Sequence, residues 1–385
     1  MASQAQLSTD RFALKLGLFY AAYFLFGGIQ LPFFPVWLEA KGLDAATIGL
    51  VITAPTIARI VVVPVIARAA DRHRAIKATL VIISAAGTVA MTVVGLVEGA
   101  VAIMLAFAVA AVAFSPALSL SDAYALNGLG ARGRAYGPVR RWGSVAFIAA
   151  NIGAGTLLGF IAPAHLIWLL VATLVIATLA AINLESLETS IAPAGAEASP
   201  RQLWSNPAFL AVAAAASLTQ GSHALYYGFS TLEWRAAGVS GTTIGLLWGI
   251  GVFAEIVLFA FSARLTIGPT VLLMIGAVGA VLRWGAMAFD PPTAILLPLQ
   301  LLHAASFGAA HLGAMGFLAR AVPRELAATA QGLVATVSGL VMASATGLSG
   351  LIYGASGSQA YLLMAAMGLA GLGFALIAHR LARRN

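Results

Sequence analysis

The chain has 385 residues, of which 61% are apolar and only 9% are Asp, Glu, Lys or Arg. An ordinary soluble domain carries roughly 25% charged residues. The mean hydropathy of +0.96 therefore excludes a water-soluble globular protein, a disordered chain and a nucleic-acid-binding module. The chain has no cysteine, which excludes disulfides, thiol catalysis and cysteine metal sites. A membrane helix needs about 20 residues, so the length predicts a polytopic membrane protein with about twelve crossings.

Hydropathy divides the chain into twelve apolar segments joined by short loops. The segments are 12–38, 47–67, 76–97, 101–126, 139–162, 165–184, 207–234, 242–264, 269–289, 293–319, 327–353 and 359–381. The intervening stretch 185–206 is polar and contains Pro193, Gly195 and Pro200, a composition typical of a linker. We expect an all-α membrane protein with 12 transmembrane helices. They would form a six-helix bundle over 1–184, a cytoplasmic linker over 185–206 and a second six-helix bundle over 207–385.

The distribution of charge predicts the orientation of these helices. With both termini in the cytoplasm, the inner loops and ends hold 17 of the 21 Lys and Arg residues. The outer loops hold only Lys41 and Arg235, and Arg59 and Arg283 remain within the membrane. This asymmetry is what the positive-inside rule describes. The net charge of +8 therefore reports orientation in a bacterial inner membrane rather than an anionic partner.

The two predicted bundles repeat each other. Residues 42–68 align with residues 238–264, the block 47–50 is identical to the block 243–246, and Gly42 aligns with Gly238. Parallel six-helix repeats resemble the build of the major facilitator superfamily. That resemblance implies two pseudo-symmetric bundles, transport by alternating access, and a substrate site near the midplane between the halves.

The loop between the second and third segments contains Asp71 and Arg72. It resembles the signature of the superfamily in this loop, in which the Asp latches one conformation. Ala67 and Arg74 replace the two glycines of that signature. An ordinary positive-inside loop accounts for the arginines equally well, so the latch is one of two interpretations.

Ionisable residues inside the membrane are costly unless they face a cavity or a partner. The clearest are Arg59, Glu255, Arg283, His303 and His311. Glu255, Arg283 and His303 lie on three consecutive helices, so we expect them to form one charged cluster. His311 has no evident partner and is alternatively a structural histidine.

Glu255 is the residue that we expect to couple transport to protons. A buried carboxyl group holds a proton when it is away from cations and releases it beside an arginine. The partner would be Arg283 on the next helix, or Arg59, which is equivalent to Glu255 under the repeat. A static ion pair between helices is the alternative.

Further polar and aromatic residues line one face of the first and seventh segments. They are Tyr23, Gln30, Gln220, His223 and Tyr227. They fit a substrate with an aromatic or hydroxylated body, although such stripes more often serve packing. No histidine has a carboxylate at metal-ligand spacing, so we expect no metal and no cofactor.

Three stretches resemble the phenylpropionate permease group of the major facilitators. They are YFLFGGIQLPFFP at 23–35, YGPVRRWGS at 136–144 and LHAASFGAAHL at 302–312. This group is similar to the oligosaccharide–proton symporters of the lactose permease type, and the resemblance covers nearly the whole chain. It implies that Asp122 and Arg140 bind substrate, and that Glu255, Arg283 and His303 correspond to charged residues of that type.

Two departures from the pattern affect what the resemblance implies. Ser306 stands where the lactose permease type has its proton-carrying carboxylate, so the coupling residue must differ or coupling is absent. Pro138 replaces a common arginine in the helix-five motif. Asp122 and Arg140 also lie near the inner ends of their helices, where a simple salt bridge is the alternative.

The function that we expect is secondary active transport of a small organic solute, by proton symport. The resemblance implies an aromatic acid such as 3-phenylpropionate, anchored by Arg59, Arg140 or Arg283 because a guanidinium presents paired donors to a carboxylate. A sugar or nucleoside symporter and a drug exporter are the alternatives within transport. A membrane-embedded enzyme is the alternative class, but the sequence lacks a nucleophile–base pair near an interface. We expect a monomer in the lipid bilayer with no nucleic-acid partner.

Overall fold

A computed structural model describes residues 4–72, 75–187, 201–323 and 326–383. Within these ranges the regular structure is helical and contains no strand. The first helices are α1 (Gln4–Ala40), α2 (Ala45–Arg72), α3 (Ile76–Leu96), α4 (Ala100–Phe114), α5 (Ala117–Gly130), α6 (Tyr136–Leu157), α7 (Leu166–Ile182) and α8 (Arg201–Trp204). The later ones are α9 (Pro207–Gly221), α10 (Ala224–Ala236), α11 (Gly241–Phe261), α12 (Pro269–Met287), α13 (Thr293–Leu301), α14 (Ala310–Ala321), α15 (Ala327–Ser356) and α16 (Tyr361–Ala382).

Each of the twelve predicted segments coincides with one helix or with two helices in succession. Three of the segments are interrupted, and the interruptions were not predicted. Pro116 separates α4 from α5, since proline lacks a backbone N–H and clashes with the preceding turn. Ser222 and His223 separate α9 from α10. A π-helical turn, Ala304–Ala309, joins α13 to α14.

Nine stretches of the described residues are long and apolar enough to cross a membrane, judged by length and composition alone. One of them, Thr329–Ala382, includes both α15 and α16. Neither α2 nor α6 is among the nine, and α2 contributes only the shorter apolar stretch Ala45–Thr56. Both α2 and α6 coincide with predicted segments. The nine stretches are therefore three fewer than the twelve predicted segments because α2 and α6 are not counted, and because α15 and α16 count as one stretch.

The chain forms two compact units. The first comprises residues 1–43, 54–192 and 240–246, and the second comprises 44–53, 193–239 and 247–385. In the first unit α1 packs against α6 and α7, and α3 packs against α4 and α7. In the second, α9 packs against α15 and α16, and α12 packs against α14 and α16. These pairings correspond under the predicted repeat, whereas the predicted bundle boundaries at 184 and 207 stay predictions.

Glycine allows close helix packing at equivalent points of the repeated block. A Cβ atom on Gly49 would lie 3.0 Å from Cα of Gly350 in the second unit, and one on Gly245 would collide with the backbone of Asn151 in the first. Small residues at helix interfaces permit such contact between backbones in membrane proteins. The two glycines of the repeat thus have the same packing role in their respective units.

Candidate functional site

The second unit contains a fully buried arginine. Arg283 on α12 has no exposed surface. Its NH1 group lies 3.0 Å from Nδ1 of His303, and its NH2 group donates a hydrogen bond of 2.6 Å to Oε1 of Gln300. The guanidinium also lies 4.5 Å from the ring centres of both Tyr226 and Trp284. Its Nε atom has no hydrogen-bond partner among the described residues.

His303 connects this arginine to Glu255. Its Nε2 atom lies 3.5 Å from Oε2 of Glu255 on α11. Arginine has donors and no acceptor, so Nδ1 of His303 must accept from Arg283 and the ring proton must reside on Nε2, facing the carboxylate. Glu255 and Arg283 are therefore linked through a neutral imidazole, whereas the sequence left open whether Glu255 pairs with Arg283 or with Arg59.

A second histidine of this unit is oriented by the break between α9 and α10. His223 is fully buried, and its Nδ1 lies 3.2 Å from the carbonyl oxygens of both Thr219 and Gln220. Because carbonyl groups only accept, Nδ1 carries the proton and Nε2 accepts from the hydroxyl of Ser306 at 3.1 Å. The His223 ring also meets the His303 ring edge to face, with centres 5.5 Å apart.

The π-helical turn explains how α13 and α14 present these groups. His303 immediately precedes the turn and Ser306 lies within it. The amide of Gln220 donates to the carbonyl oxygen of Phe307 in the same turn at 3.3 Å. Single π-turns of this kind occur frequently at functional sites. The irregular backbone thus places an imidazole, a hydroxyl and a polar carbonyl on the side where Arg283 and His223 lie.

Aromatic rings surround the polar cluster. The ring of Tyr226 lies 4.5 Å from that of Trp248, and Tyr227 stacks on Trp248 at 5.9 Å. The indole N–H groups are satisfied, since Trp248 donates to Thr231 at 3.1 Å and Trp284 donates to Ser222 at 2.8 Å. Sequence reasoning missed Tyr226 and Trp284 as site residues. Their positions directly beside Tyr227 and Arg283 were the only available signal.

The first unit contains a separate cluster around Asp122 on α5. The hydroxyl groups of Tyr20 and Tyr136 donate to Oδ1 of Asp122 at 2.6 and 2.8 Å. Nε of Arg140 lies 3.8 Å from the same oxygen, and its guanidinium lies 4.1 Å from the ring centre of Phe24. The salt bridge between Asp122 and Arg140, which the sequence offered as the alternative to substrate contact, is present, and two tyrosine donors that were not assigned to it complete the cluster.

The remaining predicted site residues either lie apart from the two clusters or fall outside the described residues. Tyr23 packs edge to face on Phe24 at 5.7 Å. Gln30 is partly buried on α1, and no hydrogen bond of its side chain is found in the described part of the chain. His311 is exposed on α14, 6.1 Å from the ring of Phe259. The side chains of Arg59, Asp71 and Arg72 lie outside the described residues, so their predicted roles stay predictions.

The described residues contain no group of three His, Asp or Glu side chains that would hold a metal ion. The side chains of the two clusters are paired charges, imidazoles and phenols, which are groups that form hydrogen bonds with anions and hydroxyls.

Comparisons with known proteins show the family to which the chain belongs. Residues 13–364 match the model of the MFS_1-like family of the major facilitator superfamily. A probable 3-phenylpropionic acid transporter of Escherichia coli is 34% identical over 92% of this chain and 94% of that protein. A maltose permease of Geobacillus stearothermophilus is 27% identical over 83% of this chain and 82% of its own length.

Solved transporter structures share the fold. A crystal structure of the nucleoside transporter NupG superposes with a TM-score of 0.78 at 19% identity, covering 96% of this chain and 98% of that one. A bacterial homologue of the human lysosomal transporter Spinster, in an inward-facing and unoccupied conformation, gives a TM-score of 0.75 at 14% identity, covering 99% of this chain and 98% of that one. The chain therefore has the major facilitator fold, and it is a multi-pass membrane transporter that belongs to the MFS_1-like family.

Proposed function

We propose that this protein is a proton symporter of the bacterial inner membrane that carries a small aromatic carboxylate. The observation that carries the proposal is the buried guanidinium of Arg283, which lies 4.5 Å from two aromatic ring centres and has an Nε donor without a partner among the described residues. A guanidinium favours a carboxylate, and the neighbouring rings favour an aromatic body. The similar transporter of Escherichia coli is described as probable for 3-phenylpropionic acid, which supports the same class.

Proton coupling would work through the chain Glu255–His303–Arg283. When Glu255 is ionised, the N–H of His303 faces it at 3.5 Å and the charge of Arg283 is balanced through the imidazole. When Glu255 binds a proton, that balance is lost and Arg283 needs another anion. The substrate carboxylate would supply it. One proton and one monovalent acid then cross together, so transport would be electroneutral.

The other predicted site residues have supporting roles in this proposal. We assign Asp122, Arg140, Tyr23 and Gln30 to substrate contacts of the first unit, and Gln220, His223, Tyr227 and His311 to those of the second. Arg59 would supply a further positive charge to the coupling cluster, and Asp71 with Arg72 would form the conformational latch. Both termini would lie in the cytoplasm, as the charge of the loops predicts.

The test is uptake of radiolabelled 3-phenylpropionate into proteoliposomes with and without an inwardly directed proton gradient. We expect accumulation only with the gradient, no requirement for a counter-ion to dissipate a membrane potential, and loss of accumulation in Glu255→Gln. Glu98→Gln is the matched control, because Glu98 is an exposed carboxylate between α3 and α4. Accumulation in Glu255→Gln equal to that in Glu98→Gln would reject the proton role of Glu255.

A hydroxylated solute is the second candidate. In the first unit Asp122 accepts two phenol hydroxyls on one oxygen, and a sugar or nucleoside hydroxyl would fit the same acceptor. The similarity to a maltose permease supports this alternative. Competition decides between the candidates, since excess maltose or uridine should leave uptake of the aromatic acid unchanged if the first proposal holds.

A further inference from the structure

A second carboxylate of the second unit lies near the end of α10 and has no part in the proposal above. Oε2 of Glu233 is buried and has no hydrogen-bond partner in the described part of the chain. The hydroxyl of Tyr361, a residue with no exposed surface, and the indole N–H of Trp234 are also buried without partners there. The carboxyl group of Glu233 interacts electrostatically with Asp290 and with Tyr361. A buried carboxylate oxygen without a partner, together with two further unpaired polar atoms at the end of α10 and the start of α16, is unusual, since buried polar atoms are normally paired.

Tyr361 connects this carboxylate to Arg283. Its ring stacks on Trp284 with centres 5.8 Å apart and planes 14° from parallel. Its phenol interacts electrostatically with both Glu233 and Arg283. Two acidic residues are therefore linked to Arg283: Glu255 through His303, and Glu233 through Tyr361.

Titratable residues lie on the helices that pack against α10, which are α15 and α16, and on the loop after α12. Asp290 belongs to the loop after α12 and accepts a hydrogen bond of 2.8 Å from Ser358. Tyr353 lies on α15, and its ring stacks on the ring of Phe229 of α10. Tyr361 is the first residue of α16. Arg235 on α10 itself has an interaction partner. With the termini in the cytoplasm, this end of the unit faces the outside.

We propose that Glu233 is an outer proton-binding site through which the transporter takes up its coupling proton before that proton reaches Glu255. The inference rests on the proposed proton symport. Hydronium at the outer face transfers its proton to the Glu233 carboxylate, which forms an O–H bond and releases water. Protonation removes the charge from a buried carboxylate oxygen that has no hydrogen-bond donor among the described residues, and it removes the repulsion between Glu233 and Asp290, two costs that the ionised form carries.

The experiment measures uptake of radiolabelled 3-phenylpropionate into proteoliposomes as the outer pH is varied at fixed inner pH. In wild type and in Glu98→Gln, uptake should fall to half at the same outer pH. In Glu233→Gln, which binds no proton at any pH, gradient-driven uptake should be low at every outer pH. In Asp290→Asn, loss of the neighbouring charge should move the midpoint to lower outer pH by roughly 0.5–1 unit. Profiles of Glu233→Gln and Asp290→Asn that superimpose on wild type would overturn the proposal.

A second measurement needs no substrate. Infrared difference spectra of the purified protein, recorded against pH, should contain a carboxylic-acid band that is absent in Glu233→Gln and present in Glu98→Gln. If Glu233→Gln does not fold, an unmoved midpoint and band in Asp290→Asn overturn the proposal. If wild type ignores the proton gradient but keeps the band, the proposed symport fails and the proton site at Glu233 stands.

Discussion

Two substitutions of His303 separate the two contacts of its ring. Asn places its carboxamide near the position of Nδ1, and Gln places its carboxamide near the position of Nε2. His303→Asn therefore keeps an acceptor for Arg283 and loses the contact with Glu255. His303→Gln does the reverse. Both variants lose the imidazole, which stacks on Phe307 at 5.2 Å.

The two variants differ in which contact is lost: the 3.0 Å hydrogen bond to Arg283 in His303→Gln, and the longer 3.5 Å contact with the partly exposed Glu255 in His303→Asn. Loss of the stacked ring costs about 0.5–1.5 kcal/mol in each. The NH1 group of Arg283 lies 3.0 Å from its acceptor, Nδ1 of His303. Only His303→Gln also removes this acceptor and leaves the buried NH1 group unpaired. Hydrogen bonds to charged groups contribute about 1.5–3 kcal/mol. The free energy of unfolding should thus fall further in His303→Gln than in His303→Asn, by up to about 1.5–3 kcal/mol.

Transport should rank the variants in the opposite order. His303→Asn should lose accumulation driven by the proton gradient, because Glu255 no longer meets an N–H donor. Unfolding in mixed detergent micelles, followed by circular dichroism, measures stability, and proteoliposome uptake measures coupling. Equal stability of the two variants, or a larger loss in His303→Asn, would refute the assignment of Nδ1 as the acceptor.

Three further outcomes follow from particular contacts. Tyr136→Phe removes one of two hydroxyl donors to Asp122, so we expect the KM for substrate to rise about tenfold. This factor corresponds to the lower end of the range for a hydrogen bond to a charged group, and uptake kinetics would measure it. Gly279→Val should lower the free energy of unfolding by about 1–3 kcal/mol, because a Cβ there would lie 2.8 Å from the facing alanine, whereas Gly285→Val meets open space and should change it little. The backbone N–H of Thr47, in the first turn of α2, donates to Asp44 and holds the pKa of that carboxyl below its usual 3.8. The stabilisation that ionised Asp44 gives the folded protein is therefore present above pH 3.8 and is lost as pH falls through the lower folded-state pKa. The thermal midpoint of Asp44→Asn should depend less on acid pH than that of wild type.

The twelve crossings and the convergence of three ionisable residues could be predicted because they depend on simple properties. Apolar length defines a membrane helix, and a charge inside it needs a partner. Glu255, Arg283 and His303 were the charged or titratable residues of consecutive helices, and they do lie together. The order of their contacts could not be predicted, since it depends on the rotation of each helix about its axis.

The helix interruptions explain most of what the sequence did not reveal. A regular α-helix through residues 293–319 would distribute His303 and Ser306 at a spacing of 100° per residue, and the π-helical turn changes that register. The tyrosines around Asp122 come from two different helices and carry no charge, so hydropathy does not distinguish them from packing residues. Glu233 was counted as the outer end of an apolar segment, where a carboxylate needs no special explanation.

The position of the tryptophans gives the protein an optical property. Trp248 and Trp284, two of its seven tryptophans, are buried beside Tyr226, and the guanidinium of Arg283 lies 4.5 Å from the Trp284 ring centre. Indole emission is sensitive to a neighbouring charge. A solute that displaces or neutralises this guanidinium should change the intrinsic fluorescence of the unlabelled protein, which allows cargo to be screened in detergent before any vesicle is made.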